Sequence, residues 1–182
     1  VGFDAEVILP ATHDTGSAFL AVPARDEFAA YLSSGTWSLL GVENAAAITS
    51  ADSCVANFTN EGGYEYRYRY LKNIMGLWMI QSVRRELGEQ NGTRPSFPEL
   101  IAAAKEAADF ASCVDPNDSR FLAPTSMIAE VKAACADTHQ PMPQPTGEVM
   151  QRTYNSLIFY DRRSTETLQA LTGKTYTSLN IV

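Results

Sequence analysis

An apolar run followed by a cluster of polar and small residues, near the start of the chain, most constrains the fold. Residues 7–9 are Val-Ile-Leu, and residues 11–18 read Ala-Thr-His-Asp-Thr-Gly-Ser-Ala. An apolar strand that leads through polar side chains into a helix is typical of an open α/β sheet, which binds ligands where its strands end. Asp14 is therefore a candidate functional carboxylate, although a His-Asp pair beside hydroxyl groups also fits a helix cap.

Strand patterns follow this segment. Residues 29–43 form short apolar runs around Ser-Ser-Gly-Thr at 33–36, which predicts two strands joined by a tight turn, with Gly35 in the left-handed conformation. Residues 57–63 are rich in turn formers, and residues 64–70 alternate tyrosine with charged side chains, which predicts a strand with one apolar face. The tyrosine row also fits a stacking platform for sugars or bases, but packing against a helix requires the same pattern.

Helical periodicity and capping signals alternate with these strands. The sequence predicts a helix over residues 71–87, with Asn73 near its start and Gly88 as its cap. Three more helices are predicted: residues 100–111 after a capping box of Ser96 and Glu99, residues 127–137 after the cap Ser126, and residues 146–171, which end before Gly173. A final strand is predicted at residues 178–182. Strands that alternate with helices in this way indicate an α/β layered domain.

Composition and charge argue against several classes of partner. The 182 residues are 45% hydrophobic and carry a net charge of −7, which opposes binding to nucleic acid or to an anionic membrane. Arg67, Arg69 and Lys72 form the main basic strip, and we predict that it is a solvated strand face. The longest apolar run, residues 74–80, is far shorter than the ~20 residues of a membrane-spanning helix. Three widely spaced cysteines without a C-x-x-C pair argue against a disulfide framework or a metal site and predict a reducing cytoplasm.

Several segments together resemble the FGGY family of carbohydrate kinases, and they occur in that family's order and at about its spacing. They are His-Asp-Thr at 13–15 with Ser-Ala at 17–18, residues 31–41, residues 57–63, residues 70–78 and residues 115–121. The resemblance continues to the last residue. Two positions depart from the family's pattern: Gly16 stands where another small residue is usual, and Asn180 stands where a histidine is common.

The resemblance implies the ribonuclease-H-like, actin-type ATPase fold. Residues 1–182 would form a single α/β domain, part of the second, C-terminal lobe of an FGGY sugar kinase. The N-terminal lobe of the same protein would be missing, as would the glycine-rich turn that follows Val182 in the family. A fragment without these parts of the phosphate and magnesium site is not expected to turn over alone.

The resemblance also implies a sugar site. The expected reaction in the intact protein is ATP-dependent phosphorylation of L-rhamnulose to L-rhamnulose 1-phosphate. Asp14 would accept the proton of the attacking hydroxyl, while His13 and Thr15 on the same turn would hold neighbouring hydroxyls. Asn73 would join them, because an amide both donates and accepts hydrogen bonds. From the residues alone, a helix cap explains Asn73 equally well.

For the nucleotide, the resemblance implies that Thr36 contacts the ATP phosphates and that Gln81 lies at the nucleotide. Mg²⁺ would be bound largely through ATP and the absent lobe, so no residue is assigned as a metal ligand. From the residues alone, Thr36 also fits an ordinary hairpin turn, and Gln81 an ordinary surface side chain.

Three alternatives to this function are distinguishable. One is a kinase for another ketose or polyol, such as L-fuculose, since a few hydrogen bonds decide sugar choice. Another is a non-catalytic lobe that binds sugar or nucleotide, which would have no need of a base at Asp14. The third is a metal-dependent HD phosphohydrolase, but His139, the one histidine besides His13, lies in a proline-rich connector rather than on a helix.

Overall fold

The computed structural model describes residues 2–7, 13–24, 26–107, 112–144 and 146–182. The chain divides into two compact units. The sheet unit comprises Val1–Ser33, Leu39–Asn73 and Thr167–Val182, and the helical unit comprises Ser34–Ser38 and Ile74–Glu166. The first predicted strand, residues 7–9, lies mostly outside the described residues; Val7, which is described, is not in a strand.

Five strands form one sheet in the order β3-β4-β2-β1-β5. Their bounds are Ala29–Ser34 (β1), Trp37–Asn44 (β2), Thr59–Gly62 (β3), Tyr68–Met75 (β4) and Ser178–Ile181 (β5). The last strand pairs with β1 in parallel, whereas β3 and β4 are antiparallel and place Glu61 opposite Arg69. Parallel pairing of β5 with β1 requires a crossover, which the intervening helices provide.

The described residues contain six α-helices, whose ends follow the predicted capping signals in several places. Their bounds are Asp14–Ala21 (α1), Ala51–Val55 (α2), Trp78–Asn91 (α3), Phe97–Glu106 (α4), Met127–Asp137 (α5) and Thr146–Thr172 (α6). The capping box of Ser96 and Glu99 is confirmed, as is the cap by Ser126. Gly173 follows α6 with a φ of 66°, as a C-terminal glycine does. No helix of the described ranges is both long and apolar enough to cross a membrane.

The sheet unit buries aromatic side chains on both faces of its sheet. On one face, Phe19 of α1 stacks on Tyr31 with ring centroids 4.8 Å apart. On the other, Phe58 stacks on Tyr70 at 5.0 Å, and the Tyr70 hydroxyl hydrogen-bonds to Ser53 at 2.7 Å. Offset aromatic pairs of this kind add about 0.5–1.5 kcal/mol beyond burial of their area. The first pair holds α1 to the sheet, and the hydrogen bond between Ser53 and Tyr70 holds α2 to it.

The helical unit has its own core, formed by side chains from α3, α4, α5 and α6 together with Met75 of β4 and Phe121 of a short 3₁₀ helix, Ser119–Phe121. Its fully buried members include Met79, Val83, Phe121, Cys135 and Met150. The prediction that Cys135 is a core residue is confirmed, since it is fully buried.

A buried carboxylate links two helices of this core. Glu86 of α3 accepts hydrogen bonds from the Ser126 hydroxyl at 2.8 Å, from the backbone N–H of Met127, and from that of Ile128 at 3.3 Å. Its negative charge therefore caps the N-terminus of α5, where the helix dipole favours an anion.

The predicted helix over residues 71–87 is wrong in its first part. The strand β4 continues to Met75, so Asn73 lies on a strand rather than near a helix start, and α3 begins at Trp78. Gly88 lies inside α3, and Gly92, with a φ of 72°, ends it. A continuous apolar run carries no period that separates a buried strand from a helix, which explains the error.

Three predictions about turns and strands also need correction. Residues 57–63, predicted as turns, contain β3. The strand predicted over residues 64–70 begins only at Tyr68, because Glu65 and Tyr66 have φ angles of 52° and 60° and break the extended chain. The hairpin of β1 and β2 is confirmed, but Gly35 does not have a positive φ.

Candidate functional site

The His-Asp-Thr segment forms the entry to α1. His13 is the N-cap residue, with an extended backbone, and its side chain makes no capping hydrogen bond. Asp14 is the first residue of the helix. Its Oδ1 accepts from the Thr15 backbone N–H at 2.7 Å and lies 3.5 Å from Nδ1 of His13. The His13 side chain therefore does not cap the helix, and the segment presents an imidazole and a carboxylate together.

The three side chains differ sharply in exposure. The Asp14 side chain is 97% exposed and that of His13 is 51% exposed, whereas Thr15 is buried. The Thr15 hydroxyl lies 3.4 Å from Oδ1 of Asp14 and so backs the carboxylate from inside. This turn can thus offer the Asp14 carboxylate and the His13 imidazole to a ligand.

Beneath this turn lies a buried arginine that sequence reasoning placed wrongly. Arg69 of β4 is only 3% exposed, so the prediction of a solvated face does not hold for it. Its Nη2 donates to Oε2 of Glu61 on β3 at 3.0 Å. Its guanidinium occupies the space next to Gly16, where a Cβ would overlap Nη1 and come within 2.6 Å of Cζ. The alternation along residues 64–70 was a usable signal, but it did not reveal which face is covered.

Asn73 lies on the same strand and, by the alternation of side chains, on the same face as Arg69. It is exposed, whereas Leu71 between them is fully buried. The first turn of α1 contacts this face through Gly16 and Arg69. The sheet unit therefore contains all four residues predicted for the sugar, three on the turn and Asn73 on β4.

Thr36 lies in the tight turn between β1 and β2, within the helical unit. The turn is closed by a hydrogen bond from the Gly35 N–H to the Trp37 carbonyl at 2.9 Å, and Thr36 is exposed. A Cβ on Gly35 would meet only the Trp37 carbonyl, at 3.5 Å, so the backbone at this turn is open to a ligand. A hydroxyl on such a turn fits a phosphate group, which accepts hydrogen bonds.

The same turn holds the N-terminus of α3. Leu77, the N-cap residue of α3, has no side-chain cap; its N–H donates to the Gly35 carbonyl at 3.0 Å, and the Trp78 N–H donates to the Thr36 carbonyl at 3.2 Å. Gly76 makes this approach possible, because a Cβ there would come within 2.8 Å of the Gly35 carbonyl oxygen. These contacts fix the Thr36 turn against the helix that carries Gln81.

Gln81 is exposed and lies in the first turn of α3, where its N–H donates to the Leu77 carbonyl at 2.8 Å. The junction before this helix is held from the other side by Asn117. The Asn117 side chain accepts from the Met75 N–H at 2.8 Å and donates to the Tyr160 hydroxyl at 3.2 Å. The helical unit therefore contains both residues predicted for the nucleotide: Thr36 lies in the β1–β2 turn and Gln81 on α3, and hydrogen bonds join the two elements.

Within the described residues, no group of three or more His, Cys, Asp or Glu side chains could hold a metal ion. The three cysteines are all free: Cys54 and Cys113 are exposed and Cys135 is buried.

Comparison with known proteins assigns the chain to a family. The sequence model for the C-terminal domain of the FGGY family of carbohydrate kinases matches residues 30–182. The chain therefore belongs to the FGGY family of carbohydrate kinases. The α/β class predicted from the sequence is confirmed, and the five-stranded sheet with its helices is consistent with the actin-type ATPase fold of that domain.

Several known proteins are similar to most or all of the chain. The chain is 48% identical over 182 residues to a rhamnulokinase of Halalkalibacterium halodurans, covering 100% of the chain and 38% of that protein. It is 52% identical over 157 residues to a rhamnulokinase of Oceanobacillus iheyensis, covering 86% of the chain and 32% of that protein. A rhamnulokinase of Bacteroides thetaiotaomicron is 42% identical over 176 residues, 97% of the chain and 35% of its own length. The chain thus spans about a third of the length of these relatives.

Proposed function

We propose that the full-length protein containing this chain phosphorylates L-rhamnulose with MgATP, giving L-rhamnulose 1-phosphate and ADP. The observation that carries this proposal is the identity of 48% to a rhamnulokinase over all 182 residues of the chain. The exposed Asp14 carboxylate supports it, because phosphoryl transfer to a sugar needs a group that takes the hydroxyl proton. This chain would be part of the C-terminal lobe, and the N-terminal lobe would complete the site.

Asp14 is the proposed base. Its Oδ1 is held by the Thr15 N–H and lies beside the His13 imidazole, so the carboxylate has a fixed direction while its surface stays open. It accepts a hydrogen bond from the attacking hydroxyl, orients that oxygen, and takes the proton as the new bond to phosphorus forms. We assign His13 and Asn73 to the neighbouring hydroxyls of the sugar. Thr15, also predicted there, is buried and its hydroxyl donates to Oδ1 of Asp14 at 3.4 Å, so we propose that it acts on the sugar through that carboxylate.

The nucleotide is assigned to the helical unit. We propose that the Thr36 hydroxyl contacts the phosphates of ATP and that the Gln81 amide contacts the nucleotide. When bound, ATP supplies the phosphoryl group, and Mg²⁺ neutralises the charge that spreads over the phosphate oxygens. We place Mg²⁺ with the nucleotide and with the part of the full-length protein outside this chain.

The setting we propose is the cytoplasm. Free thiols at Cys54 and Cys113, both exposed, suit a reducing compartment. The net charge of −7 favours small-molecule substrates over nucleic acid or an anionic membrane as partners.

The test is ATP-dependent turnover by the full-length protein in a coupled ADP assay, with L-rhamnulose, L-fuculose, D-xylulose and glycerol as acceptors. We expect a strong preference for L-rhamnulose. Asp14→Asn should lower kcat by about 10²- to 10⁴-fold while the protein stays folded by circular dichroism, because the amide cannot take the proton. Asp52→Asn is the matched control, since Asp52 is likewise an exposed acid in the first turn of a helix, and it should retain activity.

Each alternative has its own outcome in this assay. A preference for L-fuculose or another acceptor would move the assignment to a different sugar kinase. No turnover on any acceptor, with ATP still bound, would favour a non-catalytic binding lobe. Full activity of Asp14→Asn would show that another group takes the proton.

A further inference from the structure

We propose that Asn117 is a positioning residue for the nucleotide, because its side chain fixes the junction of β4 and α3 to which the Thr36 turn is bonded. The inference rests on the proposed function, in which Thr36 and Gln81 bind ATP. It gives a role to residues 115–121, which resemble the FGGY family but contain none of the residues proposed to touch a substrate. Asn117 acts through the polypeptide backbone and not by contact with ATP.

Two hydrogen bonds connect the Asn117 side chain to other parts of the helical unit. Its Oδ1 accepts from the Met75 N–H at 2.8 Å, and its Nδ2 donates to the Tyr160 hydroxyl of α6 at 3.2 Å. Met75 is the last residue of β4 and is buried, whereas the pairing of β3 with β4 ends at Leu71. A buried N–H needs an acceptor, and here the acceptor is the Asn117 side chain. The end of β4 is therefore fixed by a residue 42 positions away in the chain.

The residues that follow Met75 make the contacts of the proposed phosphate site. Gly76 packs against the backbone of the β1–β2 turn, and the N–H groups of the next two residues donate to carbonyl oxygens of that turn at 3.0 and 3.2 Å. The turn and the start of α3 thus hold each other, while α3 has no side-chain cap. A displacement of Met75 would move Gly76 and, through these hydrogen bonds, the turn that carries Thr36.

The segment around Asn117 is itself fixed in place. Oδ1 of Asp115 accepts from the Asn117 N–H at 2.9 Å, which closes a local turn. Four residues further on, the fully buried Phe121 anchors the segment in the core of the helical unit, and its carbonyl accepts from Nε1 of Trp78 at 3.0 Å. Residues 115–121 therefore hold the junction at two points, the last residue of β4 and the first residue of α3.

A positioning role and a purely structural role predict different effects. Loss of a buried hydrogen bond lowers the free energy of unfolding wherever the bond lies. Loss of the Asn117 side chain should in addition displace the Thr36 turn, so that it weakens the use of ATP and spares the sugar. Asn60 offers the comparison, because this half-buried asparagine also makes two hydrogen bonds across the chain, to the N–H and the carbonyl of Ile48 at 2.9 and 2.8 Å, within the sheet unit.

The experiment compares Asn117→Leu with the matched control Asn60→Leu in the full-length protein. Each change replaces an amide by an apolar group of similar size and removes two hydrogen bonds, so both should lower the Tm. Asn117→Leu should lower kcat/KM for ATP by at least about tenfold, because small displacements of reacting groups cost rates of that order or more. The KM for the sugar should stay within about twofold, and Asn60→Leu should leave both kinetic constants within about twofold, since these sites are independent.

Tyr160→Phe removes only the second hydrogen bond of Asn117 and keeps the aromatic ring. It should lower kcat/KM for ATP by about threefold in an otherwise wild-type protein and have no further effect in Asn117→Leu, because both changes act on one contact. Losses that multiply in the double variant would overturn the inference, as would an Asn117→Leu protein that uses ATP as well as Asn60→Leu does. If Asn117→Leu does not fold, Tyr160→Phe provides the comparison, and an unchanged kcat/KM for ATP in that variant would overturn the inference.

Two measurements without turnover separate this inference from the proposed function. By calorimetry, Asn117→Leu should raise the Kd for the ATP analogue AMP-PNP by about tenfold, and Asn60→Leu should not change it. Peptides covering the β1–β2 turn and the start of α3 should exchange hydrogen faster in Asn117→Leu than in Asn60→Leu, and equal exchange would contradict the inference. If wild type binds AMP-PNP but phosphorylates no sugar, the proposed function fails, and the Kd values of the variants decide the inference. A wild type that does not bind AMP-PNP would overturn both.

Discussion

Asp161, on α6, is a partly buried carboxyl outside the proposed site. Burial raises its pKa from 3.8 to about 6, and its Oδ1 is buried without a hydrogen-bond partner among the described residues. The folded state therefore binds this proton more tightly than the unfolded state. The free energy of unfolding falls as pH rises from about 4 to about 6, and the full penalty is present above that range.

Asp161→Asn removes the ionisation and should stabilise the full-length protein most above pH 6. We expect a gain of about 1 kcal/mol at pH 7, reduced from the full shift because the group keeps some contact with water, and little gain at pH 4.5. The measurement is apparent Tm by scanning fluorimetry between pH 4.5 and 8. Glu106→Gln, an exposed change on α4, should show no such trend. A Tm difference that is constant across this range would contradict the prediction.

Single residues also show what the sequence could and could not predict about the site. Asp14, His13, Thr36 and Gln81 are polar residues in recognisable local motifs, and each is exposed as a ligand-binding group must be. Arg69 was placed on a solvated face, because alternation along one strand says that two faces differ but not which face is covered. Its burial depends on Gly16, 53 positions earlier in the chain, and on Glu61 of the neighbouring strand.

Among the elements, those whose ends depend on local chemistry were predicted well. The capping box of Ser96 and Glu99, the Ser126 cap and the stop at Gly173 act over a few residues and were confirmed. The strand β3 was missed because its sequence, Thr-Asn-Glu-Gly, has no strand pattern and is extended through pairing with β4. The boundary of β4 and α3 was misplaced because the apolar run across it fits either element.

The contact between the β1–β2 turn and α3 can be tested by a substitution at Gly76. Gly76→Ala would bring a Cβ within 2.8 Å of the Gly35 carbonyl oxygen, the Ser38 nitrogen and the Trp37 carbonyl carbon, all of which are backbone atoms. The turn must therefore shift and carry Thr36 with it. We expect the KM for ATP to rise about tenfold or more, as one or two phosphate contacts weaken, with the KM for sugar nearly unchanged.

Gly62→Ala is the control for this change. A Cβ on Gly62, in β3, meets nothing within 4 Å, and the residue does not have a positive φ. Both KM values should therefore remain those of wild type. If Gly76→Ala left the KM for ATP unchanged in a folded protein, the Thr36 turn would not be part of the nucleotide site.

For the whole molecule, the proposed site residues separate by substrate. His13, Asp14, Thr15 and Asn73 belong to the sheet unit, whereas Thr36 and Gln81 belong to the helical unit. Each group lies beside contacts inside its own unit: the Arg69 guanidinium lies next to Gly16 near the first group, and hydrogen bonds join the β1–β2 turn to α3 at the second. These assignments predict that a change in one unit affects one substrate and spares the other.

Asn73→Ala and Gln81→Ala test this separation as a crossed pair in the full-length protein. Asn73→Ala should raise the KM for L-rhamnulose about tenfold and leave the KM for ATP within twofold, because one hydrogen-bonding side chain is lost at the sugar. Gln81→Ala should do the reverse, with a rise of about three- to tenfold for ATP. Both residues are exposed, so neither truncation creates a cavity, and each variant controls for the other's effect on folding. If both variants raised both KM values together, the two units would not bind the two substrates separately, and the assignment of Asn73 to the sugar and Gln81 to the nucleotide would be wrong.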